Sequence, residues 1–159
     1  MTRRFFAMLA LLAAGFASVL LIAPAQASAA PATPPTAAAT CSGTGCDNKD
    51  PVNTGCASSG SSVASKDTAK GRFHLYYSSV CKTNWVRVAN YAGGSSRPDG
   101  KLQLTVWDAP RNKYVDFFAS SGAGVHYGNM VYSPGNNCSW GMADWNLGGW
   151  DVQVKSSSC

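Results

Sequence analysis

Histidine and aspartate are the side chains of this 159-residue sequence that could carry proton-transfer chemistry, because all eight acidic residues are aspartates. The two histidines, His74 and His126, each lie in a segment whose pattern predicts a strand. A pair between either imidazole and Asp108 or Asp116 would supply the general base of a small hydrolase. No nucleophile elbow, zinc-protease motif or phosphate-binding glycine loop accompanies them. An extracellular hydrolase that uses His74 or His126 with an aspartate is therefore the alternative hypothesis, and no cofactor is predicted.

Cysteine is the second reactive residue type. All six cysteines follow an N-terminal export signal, and an even number in an exported chain predicts three disulfides. We favour a bond between Cys138 and Cys159 for the tail, and we expect Cys81 to pair with one of the three cysteines upstream. Oxidised sulfur has no thiolate and cannot act as a nucleophile. The predicted disulfide cysteines are Cys41, Cys46, Cys56, Cys81, Cys138 and Cys159.

Metal binding is the competing explanation of the cysteine-rich segment. Cys41 and Cys46 have a spacing that zinc ligands tolerate, but no second close pair of cysteines or histidines completes a set of four. Asp47, Asn48 and Asp50 resemble a calcium loop only faintly, because their spacing is wrong for an EF-hand. Turns stabilised by Asp and Asn side chains explain the same residues. No metal site is predicted.

Aromatic side chains indicate a possible binding surface. Alternation along the predicted strands points Trp107, Tyr114 and Phe118 outward, and three more tryptophans recur at five-residue intervals near the C-terminus. Rings that are exposed together can stack on sugars or pack against the apolar surface of a partner. Plain packing, with the outer rings covered by the loop at residues 41–71, is the alternative explanation. The candidate binding residues are Tyr76, Trp107, Tyr114, Trp140 and Trp145.

The N-terminus predicts export. Arg3 and Arg4 precede an apolar run, and Ala25-Gln26-Ala27 then matches a small-x-small cleavage pattern. Residues 1–27 are therefore predicted to be a signal peptide, with cleavage after Ala29 as the second choice. The paired arginines fit both the general secretory route and the twin-arginine route. An uncleaved membrane anchor is the further alternative, since about twenty apolar residues can span a bilayer.

Composition and charge limit the partners of the mature chain. Residues 28–40, rich in alanine and proline, predict a disordered linker before a single domain at residues 41–159. Removal of residues 1–27 takes away two of thirteen basic residues and none of the eight acids, which leaves a net charge of +3. This charge is small and scattered, so no nucleic-acid partner is predicted. A cell-wall polysaccharide or a secreted protein is the expected partner, and no membrane contact is expected after cleavage.

Short strands separated by turns must position all of these side chains. The alternating patterns predict an all-β fold, a small antiparallel sandwich or barrel held together by disulfides, with a loop-rich N-terminal region. Leu102, Leu104 and Val106 are predicted to face inward, and Val115 and Phe117 likewise. The predicted strands are a hairpin over 73–88 that turns at Ser78-Ser79, and the segments 101–108, 114–118, 125–132 and 150–155, with connecting loops at 57–71 and 91–100.

Two motifs carry a resemblance to a known family. The first is Cys41-x4-Cys46-x3-Asp50-Pro51-x3-Gly55-Cys56, and the second is Tyr76-Tyr77-Ser78-Ser79-Val80-Cys81-x3-Trp85-Val86-Arg87-Val88. Together they resemble the YjfA-type domain of unknown function, a small exported domain of actinobacteria. The resemblance implies export, a disulfide framework and a compact β domain. It implies no catalytic residue, because the family carries no established activity.

The leading hypothesis joins these observations. An export signal, a disulfide framework, a surplus of aromatic residues and the absence of a catalytic motif favour a secreted, non-catalytic, extracellular binding domain. A protease inhibitor belongs to the same class, and residues 91–100 are its candidate loop, expected to be exposed and fixed by a disulfide.

Overall fold

The computed structural model describes residues 38–159 of the chain. This part contains nine antiparallel strands and two short 3₁₀ turns, Gly43–Cys46 and Cys56–Ser59. The predicted signal peptide and residues 28–37 of the predicted linker lie outside the described residues and stay predictions. Within the described part, no helix has the length and apolar character needed to cross a membrane. The strands are β1 (Gly60–Thr68), β2 (Gly71–Ser78), β3 (Thr83–Tyr91), β4 (Lys101–Asp108), β5 (Lys113–Ser120), β6 (Gly124–Tyr127), β7 (Val131–Tyr132), β8 (Ser139–Asp144) and β9 (Val152–Lys155).

The strands form two antiparallel sheets, which confirms the predicted all-β antiparallel architecture. The first sheet has the order β1-β2-β3-β6, and β7 also pairs with β3. The second sheet has the order β5-β4-β8-β9. Side chains from both sheets meet in one buried cluster, so the two sheets form a sandwich.

The inner faces of the two sheets form the main core. Leu102, Leu104 and Val106 of β4 are buried, as the alternating pattern of this strand predicts. Val115 is buried and Phe117 packs against the core at its margin, again as predicted. The other main contributors are Phe73, Leu75, Val86, Val88, Tyr91, Ala119, Ala143, Trp145, Val152 and Val154.

A second buried cluster lies on the outer face of the first sheet. Trp85 belongs to this cluster and is 0 % exposed, although it lies on the opposite face of β3 from Val86. The segment at residues 41–59, which we call the cystine cap, covers it with the buried sulfurs of Cys46 and Cys56. The loop-rich N-terminal region therefore buries an outer aromatic side chain, which the sequence suggested as an alternative to ligand binding.

Three disulfides are formed, as predicted. Cys138 bonds to Cys159 and ties the tail to the start of β8. Cys81, in the turn between β2 and β3, bonds to Cys56, one of the three upstream cysteines. The remaining bond, between Cys41 and Cys46, closes a small loop within the cystine cap.

Two strands were not predicted. β1 lies within the segment 57–71, which was expected to be a connecting loop; most of its residues are exposed, so the sequence shows no alternation. β8 occupies the centre of the second sheet, but its residues include Gly141 and Ala143, which have low β propensity. Glycine fits the close packing there, because a Cβ at position 141 would lie 3.0 Å from Val86 Cγ2 of the facing sheet, which would have to move by a few tenths of an ångström. The predicted strand at 125–132 is divided into β6 and β7.

Replacing Gly60 with alanine tests the packing beneath the cystine cap. The backbone of Gly60 has φ −82° and ψ 137°, which suits alanine, but a Cβ would lie 2.5 Å from Trp85 Cη2 and 2.7 Å from Cζ2. Because this indole is buried, we expect Gly60→Ala to lower the free energy of unfolding by about 1–3 kcal/mol. Gly148→Ala is the matched control, since no atom lies within 4 Å of its Cβ position. Urea unfolding with the disulfides intact measures both, and equal stabilities would contradict the packing.

Candidate binding face

The outer face of the second sheet carries a row of side chains that runs across all four strands. Tyr114 of β5 pairs in register with Trp107 of β4, Trp107 pairs with Trp140 of β8, and Trp140 pairs with Lys155 of β9. Directly opposed residues of antiparallel strands place their side chains in contact on the same face. We call these four side chains the cross-strand row.

The rings of the cross-strand row stack on one another. The Tyr114 and Trp107 centroids are 5.2 Å apart with an interplanar angle of 6°, and those of Trp107 and Trp140 are 6.5 Å apart at 37°. Lys155 Nζ lies 5.4 Å from the centroid of the Trp140 ring, which is a cation–π contact. Parallel rings whose centroids are 5.2 Å apart are offset-stacked, so each covers part of one face of the other. Tyr114, at the end of the row and 49 % exposed, therefore offers the open ring face.

Strand β5 presents a second exposed ring and a carboxylate on this face. Phe118 is 43 % exposed and lies four residues beyond Tyr114, with Asp116 between them. Asp116 Oδ1 accepts hydrogen bonds from the Thr105 hydroxyl at 2.6 Å and from the Gln103 amide at 3.2 Å. Within residues 38–159, Asp116 Oδ2 accepts no hydrogen bond, so it remains available to a ligand. The outward edge of β5 thus alternates aromatic, acidic and aromatic side chains.

A buried ion pair fixes the loop beside this face. The guanidinium of Arg97, in the loop between β3 and β4, donates to Asp144 at the end of β8, and both side chains are about nine-tenths buried. The same guanidinium lies 5.5 Å from the ring centroid of Phe118. Arg97 therefore holds the loop against the sheet and supports Phe118 from one side.

The pKa of Asp144 lies below its ordinary value. Burial alone would raise the pKa of this carboxyl, but backbone N–H groups of Asn146 and Leu147 donate to Oδ1, and Arg97 pairs with Oδ2. These hydrogen bonds and the positive charge favour the ionised form and outweigh burial. Asp144 is therefore an anion that the fold stabilises at neutral pH.

The structure brings three of the five candidate binding residues together and separates two. Trp107, Tyr114 and Trp140 form the aromatic part of the cross-strand row. Tyr76 lies on the first sheet, where its ring stacks on Trp85 at 5.6 Å and is partly covered by the cystine cap. Tyr76 therefore does not lie beside the rings of the cross-strand row, with which the sequence had grouped it.

Trp145 is a clear correction, because it is buried and not part of an exposed surface. Its ring stacks on Phe73 at 5.3 Å in the main core. It follows β8 with the same alternation as Gly141 and Ala143, which face inward. Without β8, only the five-residue spacing of the tryptophans was available, and this spacing does not show that Trp140 lies outside and Trp145 inside.

The two histidines lie on the first sheet and neither bonds to a carboxylate among the described residues. His74 Nδ1 lies 2.9 Å from the Ser62 hydroxyl, and His126 Nε2 lies 2.8 Å from the Gly122 carbonyl. Burial lowers the pKa of His74, and the nearby guanidinium groups of Arg87 and Arg72 lower it further. His74 is therefore more readily neutral than an ordinary histidine.

The predicted partners of the histidines are engaged elsewhere. Asp108 is buried and accepts hydrogen bonds from Ser133 at 2.7 Å and Asn137 at 3.0 Å. Asp116 belongs to the outer face of the second sheet, as described above. The specific pairs of His74 or His126 with these two aspartates are therefore not assembled.

An open cleft of about 490 Å³ does lie beside His74. Its lining includes Asp67, Arg72 and Asn90. Asp67 is held by Arg72 through two hydrogen bonds, at 2.5 Å and 2.7 Å. Ser62, His74 and Asp67 thus form a polar group at one edge of the first sheet.

The candidate inhibitor loop at residues 91–100 does not have the expected form. Hydrogen bonds, not a disulfide, fix it: Lys70 Nζ donates to the Gly93 carbonyl at 2.6 Å, and the Ser95 hydroxyl donates to the Lys101 carbonyl at 2.7 Å. Its Arg97 side chain is turned onto the second sheet and is 10 % exposed. Arg97, the largest charged side chain of the loop, is therefore not accessible to a protease.

Three sulfurs of the cystine cap and the Cys81 sulfur of the hairpin turn form the group closest to a metal-site arrangement in the described residues. The Sγ atoms of Cys41, Cys46, Cys56 and Cys81 all lie within 4.8 Å of one another, although each is bonded in a disulfide. The acidic residues of the cap have protein partners: Asp50 Oδ1 accepts from the backbone N–H groups of Val52 and Asn53 in a local turn.

Sequence reasoning missed most of the polar groups of the binding face. Alternation along β4 and β5 contains the signal for Gln103 and Asp116, because both share the parity of the outward aromatic residues. No local signal identifies Lys155 or Arg97. Their positions depend on β8, which was not predicted, and on a loop that folds back.

Comparison with known proteins gives one match. A family model described as "Protein of unknown function (DUF2690)" matches residues 44–140, more than half of the chain. The matched segment contains the aromatic residues of the cross-strand row and ends before Lys155. Neither a curated protein nor a solved structure matches this chain.

Replacing Asp144 with asparagine tests the buried ion pair. At neutral pH we expect Asp144→Asn to lower the free energy of unfolding by about 3 kcal/mol, the lower end of the range for a broken buried pair, because Arg97 keeps its contact with Asp99 at 3.3 Å. The pKa of Asp144 is lowered in the fold, so its stabilising contribution is present above the ordinary carboxyl pKa of about 3.9 and is lost as the pH falls through the lower folded-state value.

The difference between wild type and Asp144→Asn should therefore shrink below about pH 4. Urea unfolding at neutral pH and through the acidic range measures it. Asp67→Asn is the control, since the pair of Asp67 with Arg72 is exposed and should change stability much less. A difference that stays constant into strong acid contradicts the assignment.

Proposed function

We propose that this chain, which belongs to the family described as "Protein of unknown function (DUF2690)", is a non-catalytic extracellular binding domain. In this proposal the outer face of its second sheet binds a cell-wall polysaccharide. The observation that carries this proposal is the alternation of Tyr114, Asp116 and Phe118 on β5, with both rings nearly half exposed. Export, the YjfA-type relationship and an actinobacterial source are part of the same proposal. The three disulfides are compatible with an oxidising location.

The chemistry of this edge suits a neutral, extended glycan. The open faces of Tyr114 and Phe118 can pack against the C–H faces of sugar rings, and Asp116 Oδ2 can accept a hydrogen bond from a sugar hydroxyl. Four residues of extended strand separate the two aromatic residues by about 13 Å, which exceeds one sugar ring. The glycan is therefore expected to run along β5.

The charge of the face supports the same choice of ligand. Asp116 is balanced by Lys155, and Asp144 is paired with Arg97, so the face has no strong single-sign field. Such a surface lacks the concentrated charge that a strongly acidic partner requires. A secreted protein, the other partner expected from the sequence, becomes an outcome of the test.

Retention on insoluble glycans tests the proposal. The oxidised chain from residue 28 onward is mixed with purified peptidoglycan, chitin and cellulose, and the bound fraction is measured after sedimentation. We expect one of these to retain the wild type and the double variant Tyr114→Ala, Phe118→Ala to bind at least about tenfold more weakly, because each lost ring contact contributes about 1 kcal/mol.

Val125→Ala is the matched control, since Val125 is 47 % exposed on β6 of the first sheet. This variant should be retained like the wild type, and all variants should unfold at similar urea concentrations. If the double variant is retained as well as the wild type, glycan binding at β5 is excluded. It is also excluded if the chain binds a secreted protein and none of the glycans.

The Ser62–His74 pair favours a second candidate function, a small extracellular hydrolase. The imidazole lies beside an open cleft, and the lowered pKa of His74 would keep it available as a base at neutral pH. Asp67 lines the same cleft and replaces the aspartates expected from the sequence. The strong pairing of Asp67 with Arg72 places this candidate second.

Hydrolysis of small chromogenic esters tests the second candidate. If the pair is catalytic, Ser62→Ala and His74→Asn should each reduce turnover at least about 100-fold, which is the lower range for general acid–base catalysis. The rate should rise as the pH increases through the lowered pKa of His74 and then level off. Ser61→Ala is the control, because Ser61 is exposed on the same strand and pairs in register with Tyr77, not with His74. Equal turnover by Ser62→Ala and Ser61→Ala excludes the hydrolase.

A further inference from the structure

The cystine cap gathers four sulfurs that are far apart in sequence. Cys41 and Cys46 lie within the cap, whereas the bond from Cys56 reaches Cys81 in the hairpin turn. The two disulfides lie against each other, with Cys41 Sγ 3.7 Å from Cys56 Sγ. The sequence showed no second close pair of cysteines to complete a zinc site, but the fold brings Cys56 and Cys81 next to Cys41 and Cys46.

The arrangement of these sulfurs is close to that of a tetrahedral thiolate site. Zinc–sulfur bonds of about 2.3 Å require neighbouring sulfurs about 3.8 Å apart. The contact between the two disulfides already has this length, and all four Sγ atoms lie within 4.8 Å of one another. The two bonded pairs, Cys41 with Cys46 and Cys56 with Cys81, must separate on reduction before the four sulfurs can take these positions.

Contacts that do not involve sulfur hold the cap in this position. The backbone N–H of Asn48 donates to the Met130 carbonyl, and that of Met130 donates to the Lys49 carbonyl, both at 2.9 Å. The Asp47 carboxylate accepts from the backbone N–H of Tyr132 at 2.6 Å and from Arg111 at 2.7 Å. The cap is therefore also anchored to the sheet by contacts that do not depend on a disulfide.

The surroundings suit a closed structural site. Cys46, Cys56 and Cys81 are buried, and Trp85 and Met130, both 0 % exposed, pack in the same cluster. Cys41 is partly exposed and gives a metal ion a route of entry. Structural zinc sites are four-coordinate with all ligands from the protein, which matches a buried set of four cysteines.

We propose that Cys41, Cys46, Cys56 and Cys81 form a binding site for one Zn²⁺ ion when their disulfides are reduced. Reduction of the two disulfides takes four electrons and four protons from two equivalents of a dithiol, each of which becomes a disulfide. Binding of Zn²⁺ then displaces the four thiol protons and forms four zinc–sulfur bonds. The cap thus has two closed forms, a zinc form for the reduced chain and a disulfide form for the oxidised chain.

Cobalt and zinc titrations of the reduced chain test the site. The chain is reduced with a phosphine, which converts every disulfide to thiols, and is then titrated with Co²⁺ without oxygen. We expect one equivalent to bind with the ligand-field absorption of tetrahedral thiolate coordination, and one equivalent of Zn²⁺ to displace it. Fluorescence from Trp85 should be quenched by Co²⁺, because the indole lies in the cluster.

Two double variants that each remove one cystine pair are compared. Cys138→Ser, Cys159→Ser leaves the four sulfurs and should bind like the wild type. Cys56→Ser, Cys81→Ser removes half of the ligands and should bind Zn²⁺ more than about 1,000-fold more weakly.

The far-ultraviolet circular dichroism of each reduced variant is recorded with and without the metal, so that loss of the fold is distinguished from loss of the site. Equal affinities of the two double variants, or a cobalt spectrum without tetrahedral thiolate bands, would overturn the proposal. Zinc binding that restores the strand signal of an unfolded reduced chain would support it, since structural zinc couples to folding.

Discussion

The packing of Trp85 beneath the cystine cap is the interaction on which the rest of the structure depends. Strand β3 lies in the middle of the first sheet and is buried on both faces, by the main core on one side and by the cap on the other. A short domain has little apolar surface to bury, and a second buried layer adds to it. The disulfide between Cys56 and Cys81 holds this layer on the hairpin, so the covalent framework and the burial of the indole reinforce each other.

The two outer faces of the sandwich consequently differ. The cap covers the first sheet, whereas the second sheet keeps large aromatic side chains at its surface among the described residues. The loop that carries Arg97 approaches this face but ends on Asp144 and Phe118, short of the cross-strand row. The buried ion pair therefore fixes the boundary between the part of the sheet that the loop covers and the part where Tyr114 and Phe118 are accessible.

The sequence predicted what depends on local pattern and could not predict what depends on distant contacts. Alternation identified β4, the inward residues of β5 and the central hairpin, and the even number of cysteines identified the disulfides. β8 was missed because Gly141 is selected by close packing against Val86 and not by strand propensity. The error for Trp145 follows from that omission, since only the strand reveals that Trp140 and Trp145 lie on opposite faces. For the same reason, the sequence does not show how the cross-strand row is assembled: it joins the β4-β5 hairpin to the β8-β9 hairpin, which are separated along the chain.

The orientation of the rings decides how the exposed face can recognise a ligand. Aromatic residues that lie flat on a sheet would present several ring faces to a sugar chain laid across the strands. Here Tyr114 stacks against one side of Trp107, and Lys155 lies over Trp140, so each indole has part of a ring face covered by a neighbour. The indole N–H of Trp107 is buried and bonds to no group in residues 38–159, so it offers a ligand no donor. Tyr114 and Phe118 on β5 are therefore the more exposed rings of this face. The tryptophans act as a rigid support that holds Tyr114 upright, and a ligand that uses both open rings must follow the direction of the strand.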